Sequence, residues 1–156
     1  MRQLSKRTQY SLRALYALSR GYGRGPMLIS QLSEEEHIPK KFLEQILLSL
    51  KALGLVASKK GKGGGYQLSR PPSTITIGSI IRLLEGPLAP LPCASETAFK
   101  PCEECRDIEH CGTRIIMRQV RDSIAEVLDK TTLADLLRQV EAAKQEHTRQ
   151  PLMYHI

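Results

Sequence analysis

The sequence has no tryptophan and only two phenylalanines among its 156 residues, and it has no cysteine outside residues 93–111. No stretch approaches the roughly 18 apolar residues that a membrane-spanning helix needs. Residues 1–21 carry Arg and Lys between their apolar positions, which excludes the apolar core of a signal peptide. We therefore expect a cytoplasmic protein, in which reducing conditions disfavour structural disulfides.

Catalytic constellations are also missing from the sequence. Neither a His/Asp/Ser set nor a pair of carboxylates suited to acid–base chemistry is visible, so we predict that the chain is not an enzyme. The histidines are isolated from one another. We interpret His37 as a turn residue and His110 as a solvated neighbour of Cys111.

Positive charge is concentrated in the front half of the chain. Residues 1–72 contain 13 Lys and Arg against 4 Asp and Glu, a net +9, whereas residues 73–156 contain 10 against 12, a net −2. A basic region beside a nearly neutral one is typical of a nucleic-acid binder. A basic face can equally be a solvated surface, so charge alone leaves both interpretations open.

Two helices joined by a short polar turn follow a first helix predicted over residues 7–21. Ser30 is expected to cap the shorter helix, and the next helix, about 39–53, has proline in its first turn. The apolar positions at helical spacing in this second helix are Leu43, Ile46, Leu47 and Leu50. Such a pair is the pattern of a helix-turn-helix, although helix pairs also occur in plain bundles.

The stretch LVASKKGKGGGYQLSR, residues 55–70, predicts two strands joined by a basic glycine-rich tip, a β-hairpin wing. Three lysines, Lys59, Lys60 and Lys62, place positive charge at that tip. A glycine-rich loop can instead cradle a nucleotide phosphate. Here, however, no helix is expected to begin just after the loop and no P-loop Lys-Ser/Thr is present. The wing is therefore the favoured interpretation.

Two further helical segments flank the cysteines. Thr76 is expected to cap a helix over about 76–86, and a long helix is expected over about 113–130. In the long helix Met117, Val120, Ile124 and Val127 follow a coiled-coil-like spacing. A second copy of the chain is the simplest partner for that seam, and packing inside one chain is the alternative. Thr132 is expected to cap a last helix.

The four cysteines have the spacing Cys93-x8-Cys102-x2-Cys105-x5-Cys111. So many thiols in one short stretch indicate a site rather than scattered core residues. Soft thiolate ligands select zinc, copper(I) or iron–sulfur clusters, and spacing alone does not choose among them. Two local disulfides would be the alternative in a secreted protein.

Several motifs carry a resemblance to a known family, and the wing string with GGGYQL after GLV is the highly specific one, whereas the helix-turn-helix alone would not be. The motifs are KRTQYSLRALYAL, FLEQILLSLKALGLVASKKGKGGGYQLSR, TITIGSIIRLLEG, Cys93, the Cys105-x5-Cys111 pair and TTLADLL. Through them the chain from about Leu4 to Val140 resembles the bacterial iron–sulfur winged-helix transcriptional regulators, the family that contains IscR, NsrR and RirA. The resemblance implies a homodimer with crossed long helices, and a cluster in the loop before each of them.

The chain also departs from this family. Members of the IscR type take a histidine ligand three residues past the last cysteine, where this chain has Arg114. Some members that sense nitric oxide take an acidic ligand from the partner's first helix, where this chain has Gln9. The resemblance implies metal ligation by Cys93, Cys105 and Cys111, with the additional thiol Cys102 as candidate fourth ligand. It leaves the cluster undecided between 2Fe-2S and 4Fe-4S.

The implied partner is double-stranded DNA with a pseudo-palindromic operator. The predicted DNA-binding residues are Lys40, Lys41, Glu44 and Gln45 in the major groove, and Lys59, Lys60 and Lys62 on the wing. Glutamine can hydrogen-bond adenine edges, glutamate can accept from cytosine, and lysine can hold phosphate or guanine. Wing lysines would enter the minor groove or clamp the backbone.

The predicted fold class is mainly α with a small β-hairpin wing (α+β): a winged helix-turn-helix with a long dimerisation helix. The expected regions are 1–72 for DNA binding, 73–112 for a linking helix and cluster loop, 113–145 for the dimerisation and C-terminal helices, and 146–156 for a flexible tail. The predicted function is a homodimeric repressor that senses cluster status, iron, redox state or nitric oxide. The alternatives are a cluster-free zinc- or thiol-based redox regulator and an iron–sulfur carrier.

Overall fold

The structure is a computed structural model that describes residues 3–149. These residues form six α-helices, one antiparallel hairpin and two short 3-10 turns, Pro72–Thr74 and Pro92–Ala94. The elements are α1 (Lys6–Arg20), α2 (Ile29–Glu36), α3 (Lys40–Ala52), β1 (Val56–Lys59), β2 (Gly65–Leu68), α4 (Ile77–Glu85), α5 (Gly112–Lys130) and α6 (Leu133–Arg149). The mainly α winged-helix fold predicted from the sequence is confirmed.

One hydrophobic core joins α1, α2, α3, the hairpin, α4 and the start of α6. On α3 the four predicted apolar positions, Leu43, Ile46, Leu47 and Leu50, are all buried in it. The buried face of α1 is made largely of small residues, including Ala14 and Ala17, which lets neighbouring helices approach closely. Leu133 brings the beginning of α6 into the same core, and α6 packs along α1.

The start of α2 differs from the prediction. Ser30 lies inside the helix and is exposed, and the cap residue is Leu28, whose side chain makes no capping hydrogen bond. The prediction of Ser30 as the cap was therefore wrong, because Ile29 already adopts helical geometry. At the other end His37 adopts a left-handed conformation with φ 49°, which ends α2 and confirms its interpretation as a turn residue.

The hairpin is bonded to a neighbouring segment as well as along its strands. Its register pairs Val56 with Leu68 and Lys59 with Gly65. Met27, just before α2, exchanges two backbone hydrogen bonds of 2.8 Å with Tyr66 on β2. Gly65, at φ 143°, leaves no room for a Cβ beside the Met27 carbonyl. The wing is thus fastened to the connection between α1 and α2.

The predicted caps of α4 and α6 are confirmed. Thr76 accepts a 3.2 Å hydrogen bond from the Ser79 N–H. Thr132 accepts a 3.1 Å bond from the Asp135 N–H, while Asp135 accepts a 2.9 Å bond from the Thr132 N–H, a reciprocal capping box.

Backbone hydrogen bonds also join the junction between α5 and α6 to the start of α4. The Ile77 N–H donates to the Thr131 carbonyl at 2.8 Å, and the Leu133 N–H donates to the Ile75 carbonyl at 2.9 Å. The C-terminal end of α5 is therefore fixed to the core.

The long helix α5 is largely exposed. The only side chain on it that is buried, within the described residues, is Arg121. Val127 is 65% exposed, and Ile115 and Ile116 are also exposed, while Met117, Val120 and Ile124 are half-buried. No helix within residues 3–149 combines the length and apolar character needed to cross a membrane.

The last helix continues to Arg149, past residue 145 where the sequence analysis placed its end. The remainder of the predicted tail, 150–156, lies outside the described residues. Between α4 and α5, residues 86–111 form a long connection without α-helix or strand, which we call the cysteine loop.

Candidate nucleic-acid interface and cysteine loop

The exposed side of α3 carries polar side chains at its beginning. Four of the predicted DNA-binding residues, Lys40, Lys41, Glu44 and Gln45, are all exposed. Leu48, one helical turn beyond Glu44, is 55% exposed and extends the same surface. Because these side chains lie outside the core of the described residues, this surface is available to a partner.

The C-terminal half of α3 is tied to its neighbours by side-chain hydrogen bonds. Arg7 on α1 donates to the Ser49 hydroxyl at 2.5 Å, and Lys51 donates to the Ser58 hydroxyl on β1 at 2.6 Å. These bonds join α1 and the wing to the helix between them. The orientation of the wing relative to α3 is therefore held by polar contacts as well as by the core.

The wing tip combines exposed lysines with a backbone that favours glycine. Lys59, Lys60 and Lys62 are exposed, and Gly61 and Gly63 adopt positive φ values of 89° and 73°. L-residues with side chains rarely adopt this conformation, so the tight tip depends on these glycines. The structure thus forms the predicted basic tip, and the contacts of its lysines with DNA stay a prediction.

The cysteine loop folds back on itself around Cys93. The Lys100 N–H donates to the Pro92 carbonyl at 3.3 Å, and the Cys105 N–H donates to the Cys102 carbonyl at 3.2 Å. Cys93 is only 4% exposed, whereas Cys102 is exposed and Cys105 and Cys111 are partly exposed. One thiol is therefore buried in the base of the loop and three are nearer its surface.

The four thiols lie close enough to influence one another. A hydrogen bond with Cys93, together with the negative charge that Cys93, Cys105 and Cys111 would carry, raises the pKa of Cys102. Within residues 3–149, however, no three Cys, His, Asp or Glu side chains are arranged to hold a single metal ion. Ligands of a cluster stand farther apart than those of one ion, because iron and sulfide atoms lie between them. By its chemistry, a set of four thiols in one loop fits a thiolate-held cluster, and the ligand assignment stays a prediction.

Arg114, noted in the sequence only as a departure from the family, contacts the loop backbone. Its Nε donates to the Cys93 carbonyl at 2.9 Å and its Nη1 donates to the Ile108 carbonyl at 3.3 Å. Its guanidinium also lies over the Phe99 ring, 5.8 Å from the centroid. Arg114 stands where related proteins have a histidine ligand, and in this chain it links two parts of the loop.

Arg121 is a residue of this site that the sequence analysis missed. It is 8% exposed, and its Nη1 donates to the Ala94 carbonyl at 2.6 Å. Its other nitrogens contact Glu96, at 3.2 Å, and the adjacent Asp122. The available signal was its position seven residues after Arg114, which places both on one face of α5.

His110 is exposed, as predicted, and it has a partner within the loop. Its Nδ1 lies 2.8 Å from Asp107, whose carboxylate also accepts hydrogen bonds from the backbone N–H groups of Glu109 and His110. These bonds, led by the one from the His110 backbone, lower the pKa of Asp107. The carboxylate thus closes the turn that leads to Cys111.

Comparison with known proteins identifies the family. A family model described as Rrf2, an iron-dependent transcriptional regulator, matches residues 4–139. A protein of Rhodobacter capsulatus named as a putative rrf2-like HTH-type transcriptional regulator is 36% identical over 137 residues, which cover 86% of this chain and 91% of the relative. The HTH-type transcriptional regulator CymR of Bacillus subtilis is 34% identical over 134 residues, which cover 86% of this chain and 88% of CymR.

Solved structures agree with this result. The structure of CymR, named the global cysteine regulator of B. subtilis, has a TM-score of 0.73 at 34% identity and covers 87% of this chain and 96% of its own. The structure of T. potens IscR has a TM-score of 0.72 at 32% identity, and the match covers 99% of this chain and 97% of the IscR chain. The R. capsulatus and B. subtilis relatives are both named as HTH-type transcriptional regulators. The chain belongs to the Rrf2 family of DNA-binding transcriptional regulators.

Proposed function

We propose that this regulator is a homodimeric repressor that senses the state of an iron–sulfur cluster through its cysteine loop. The observation that carries the proposal is the gathering of four thiols, one of them buried, in the connection that leads directly into α5. The family description as iron-dependent supports the same assignment. A thiol set in that place can report on iron, redox state or nitric oxide, since each changes a cluster.

DNA binding is assigned to the region 1–72. Lys40, Lys41, Glu44 and Gln45 enter the major groove, where Gln45 hydrogen-bonds a base edge and Glu44 rejects unsuitable bases. The wing residues Lys59, Lys60 and Lys62 clamp the backbone or enter the minor groove. Their exposure and the basic charge of this region support the assignment.

The dimer is assigned to α5. Its seam, Met117, Val120, Ile124 and Val127, is incompletely buried within the chain, and an apolar helix face of this kind needs a partner. A second copy buries it symmetrically and predicts a pseudo-palindromic operator. In this assignment region 73–112 links the DNA-binding part to region 113–145, which holds the two subunits together.

The residues that would hold the cluster are Cys93, Cys105 and Cys111, with Cys102 as the fourth. The bound cluster, 2Fe-2S or 4Fe-4S, supplies a centre whose presence and oxidation state can change. The chain supplies the thiolates, shields Cys93 from solvent and connects the loop to α5. Only a difference in cluster affinity between the DNA-competent and incompetent forms can then alter DNA binding.

The test is anaerobic purification followed by an absorption spectrum and by iron and sulfide analysis. We expect a coloured protein whose DNA affinity differs between the cluster-bound and cluster-free forms over one salt series. If the protein lacks iron and sulfide even after reconstitution, the proposal that it binds a cluster is wrong. If the cluster-bound and cluster-free forms give identical DNA-binding curves, the proposal that the cluster controls DNA binding is wrong.

A cluster-free thiol regulator is the second candidate. The combination of an exposed thiol, Cys102, with a buried one, Cys93, in the same loop favours it, as does the similarity to a regulator named for cysteine. Such a protein would be colourless when purified without oxygen, and its DNA affinity would change on oxidation of thiols. A zinc-bound form would be colourless as well and would be distinguished by metal analysis.

A further inference from the structure

We infer that Arg121, with Arg114, is a positioning residue that fixes the Cys93 turn to α5 and transmits the state of the loop to that helix. The coupling role, which is the transmission of the state of the loop to α5, rests on the proposed function. The positioning role rests on the hydrogen bonds of the two arginines. Burying a guanidinium is strongly disfavoured unless its donors are hydrogen-bonded. Arg121 is the one buried side chain that the described part of α5 carries, and its burial therefore indicates a specific contact.

The two arginines hold consecutive peptide groups. Arg114 donates to the carbonyl of Cys93, and Arg121 donates to the carbonyl of Ala94, the next residue. Ala94 and Ser95 are themselves buried, so this turn lies against α5 rather than in solvent. The position of the Cys93 backbone is thereby defined relative to the helix.

These contacts use carbonyl oxygens and do not involve the Cys93 thiol. The same hydrogen bonds can therefore persist whether the sulfur is protonated, oxidised or bound to metal. A displacement of Cys93 on gain or loss of a ligand must then either move α5 or break the bonds from Arg114 and Arg121. Since α5 carries the proposed dimer seam, the first response changes the relation between the two DNA-binding regions.

The positioning role is tested on reduced, cluster-free, full-length protein. The variant Arg121→Gln is compared with Arg118→Gln, which changes an exposed arginine on the same helix. The readout is the rate at which iodoacetamide alkylates Cys93, followed by peptide mass spectrometry. We expect alkylation about tenfold faster in Arg121→Gln, because a lost hydrogen-bonded contact to a charged group opens the turn, and an unchanged rate in Arg118→Gln. Equal rates in the two variants would overturn the positioning role.

The coupling role is tested by the ratio of DNA affinities with and without cluster. We expect this ratio to fall in Arg121→Gln, to stay at the wild-type value in Arg118→Gln, and to be partly restored in Arg121→Lys. Faster alkylation with an unchanged ratio would overturn coupling while positioning stands. If wild type shows no dependence on cluster, the proposed function fails together with coupling, and alkylation still decides positioning. Should Arg121→Gln not fold, Arg114→Gln tests the neighbouring carbonyl by the same readouts.

Discussion

The winged-helix core and the cysteine loop are stabilised in different ways. In the core, leucine and isoleucine side chains from five helices are almost completely buried. In the loop, only a short turn around Cys93 is buried, and hydrogen bonds from arginines and backbone groups hold the chain. Apolar packing makes the core a single rigid unit, whereas a loop held by a few polar contacts opens at lower cost. A regulator needs both properties in one chain.

The largest expected effect comes from a cavity in the core. Leu47 is completely buried and its neighbour Leu48 is exposed, so the pair offers a matched test. We expect Leu47→Ala to lower the free energy of unfolding by about 2–5 kcal/mol, and Leu48→Ala to change it by less than about 0.5 kcal/mol. Chemical denaturation measures both. Equal losses would show that the core is not the rigid part.

The next effect concerns α5. Val127→Glu places a charge on the proposed seam, at a side chain that the single chain leaves exposed. We expect the dimer to weaken by at least about 2 kcal/mol, since a buried unpaired charge is costly, while the melting of the isolated subunit is unchanged. Sedimentation measures the mass, and Gln119→Glu on an exposed position of α5 is the control. A variant that remains a dimer would place the subunit contact elsewhere.

Changes on the DNA-facing surface are expected to be smaller and independent of the loop. Gln45→Ala should cost about 1–3 kcal/mol and relax the preference at one base pair. Lys60→Ala should weaken binding to all DNA sequences about equally. It should also reduce the slope of log affinity against log salt concentration by about 1 for each bound wing. In both variants the ratio of affinities with and without cluster should equal that of wild type. A changed ratio would mean that these side chains take part in sensing.

The smallest effect is a dependence on pH. Arg82 on α4 and Asp129 on α5 form a bidentate ion pair at 2.5 and 2.8 Å, and the hydrogen bond from Arg82 lowers the pKa of Asp129. Because the pKa is lowered on folding, the stabilisation is present above the ordinary carboxyl pKa and is lost as pH falls through the lowered value. Both side chains are partly exposed, so the effect is below about 1 kcal/mol.

The variant Asp129→Asn isolates this contribution. The free energy of unfolding of this variant should be lower than that of wild type at neutral pH. The two values should approach each other in acid, where the wild-type carboxyl is also uncharged. Denaturation from neutral pH down into the acid range measures the difference. A gap between the two proteins that stays constant over this range would exclude the ion pair as its cause.

The helices, the hairpin and two of the caps could be predicted because their signals are local. Periodic leucines defined the buried face of α3, and Thr76 and Thr132 marked where α4 and α6 begin. The packing of α6 on α1 joins residues far apart in sequence, and no local pattern specifies it. The contacts of Arg114 and Arg121 depend on the path of an irregular loop, which periodicity does not define.

The backbone hydrogen bonds at Thr131 and Leu133 clamp the C-terminal end of α5 to the core, while its N-terminal end, here called the tip, follows the cysteine loop. Its 19 residues span about 28 Å at 1.5 Å per residue. A tilt of about 10° at the clamp would swing the tip through about 5 Å, close to one helical pitch. A movement of the Cys93 turn that tilts α5 about this clamp would therefore displace the proposed dimer seam most at its N-terminal end.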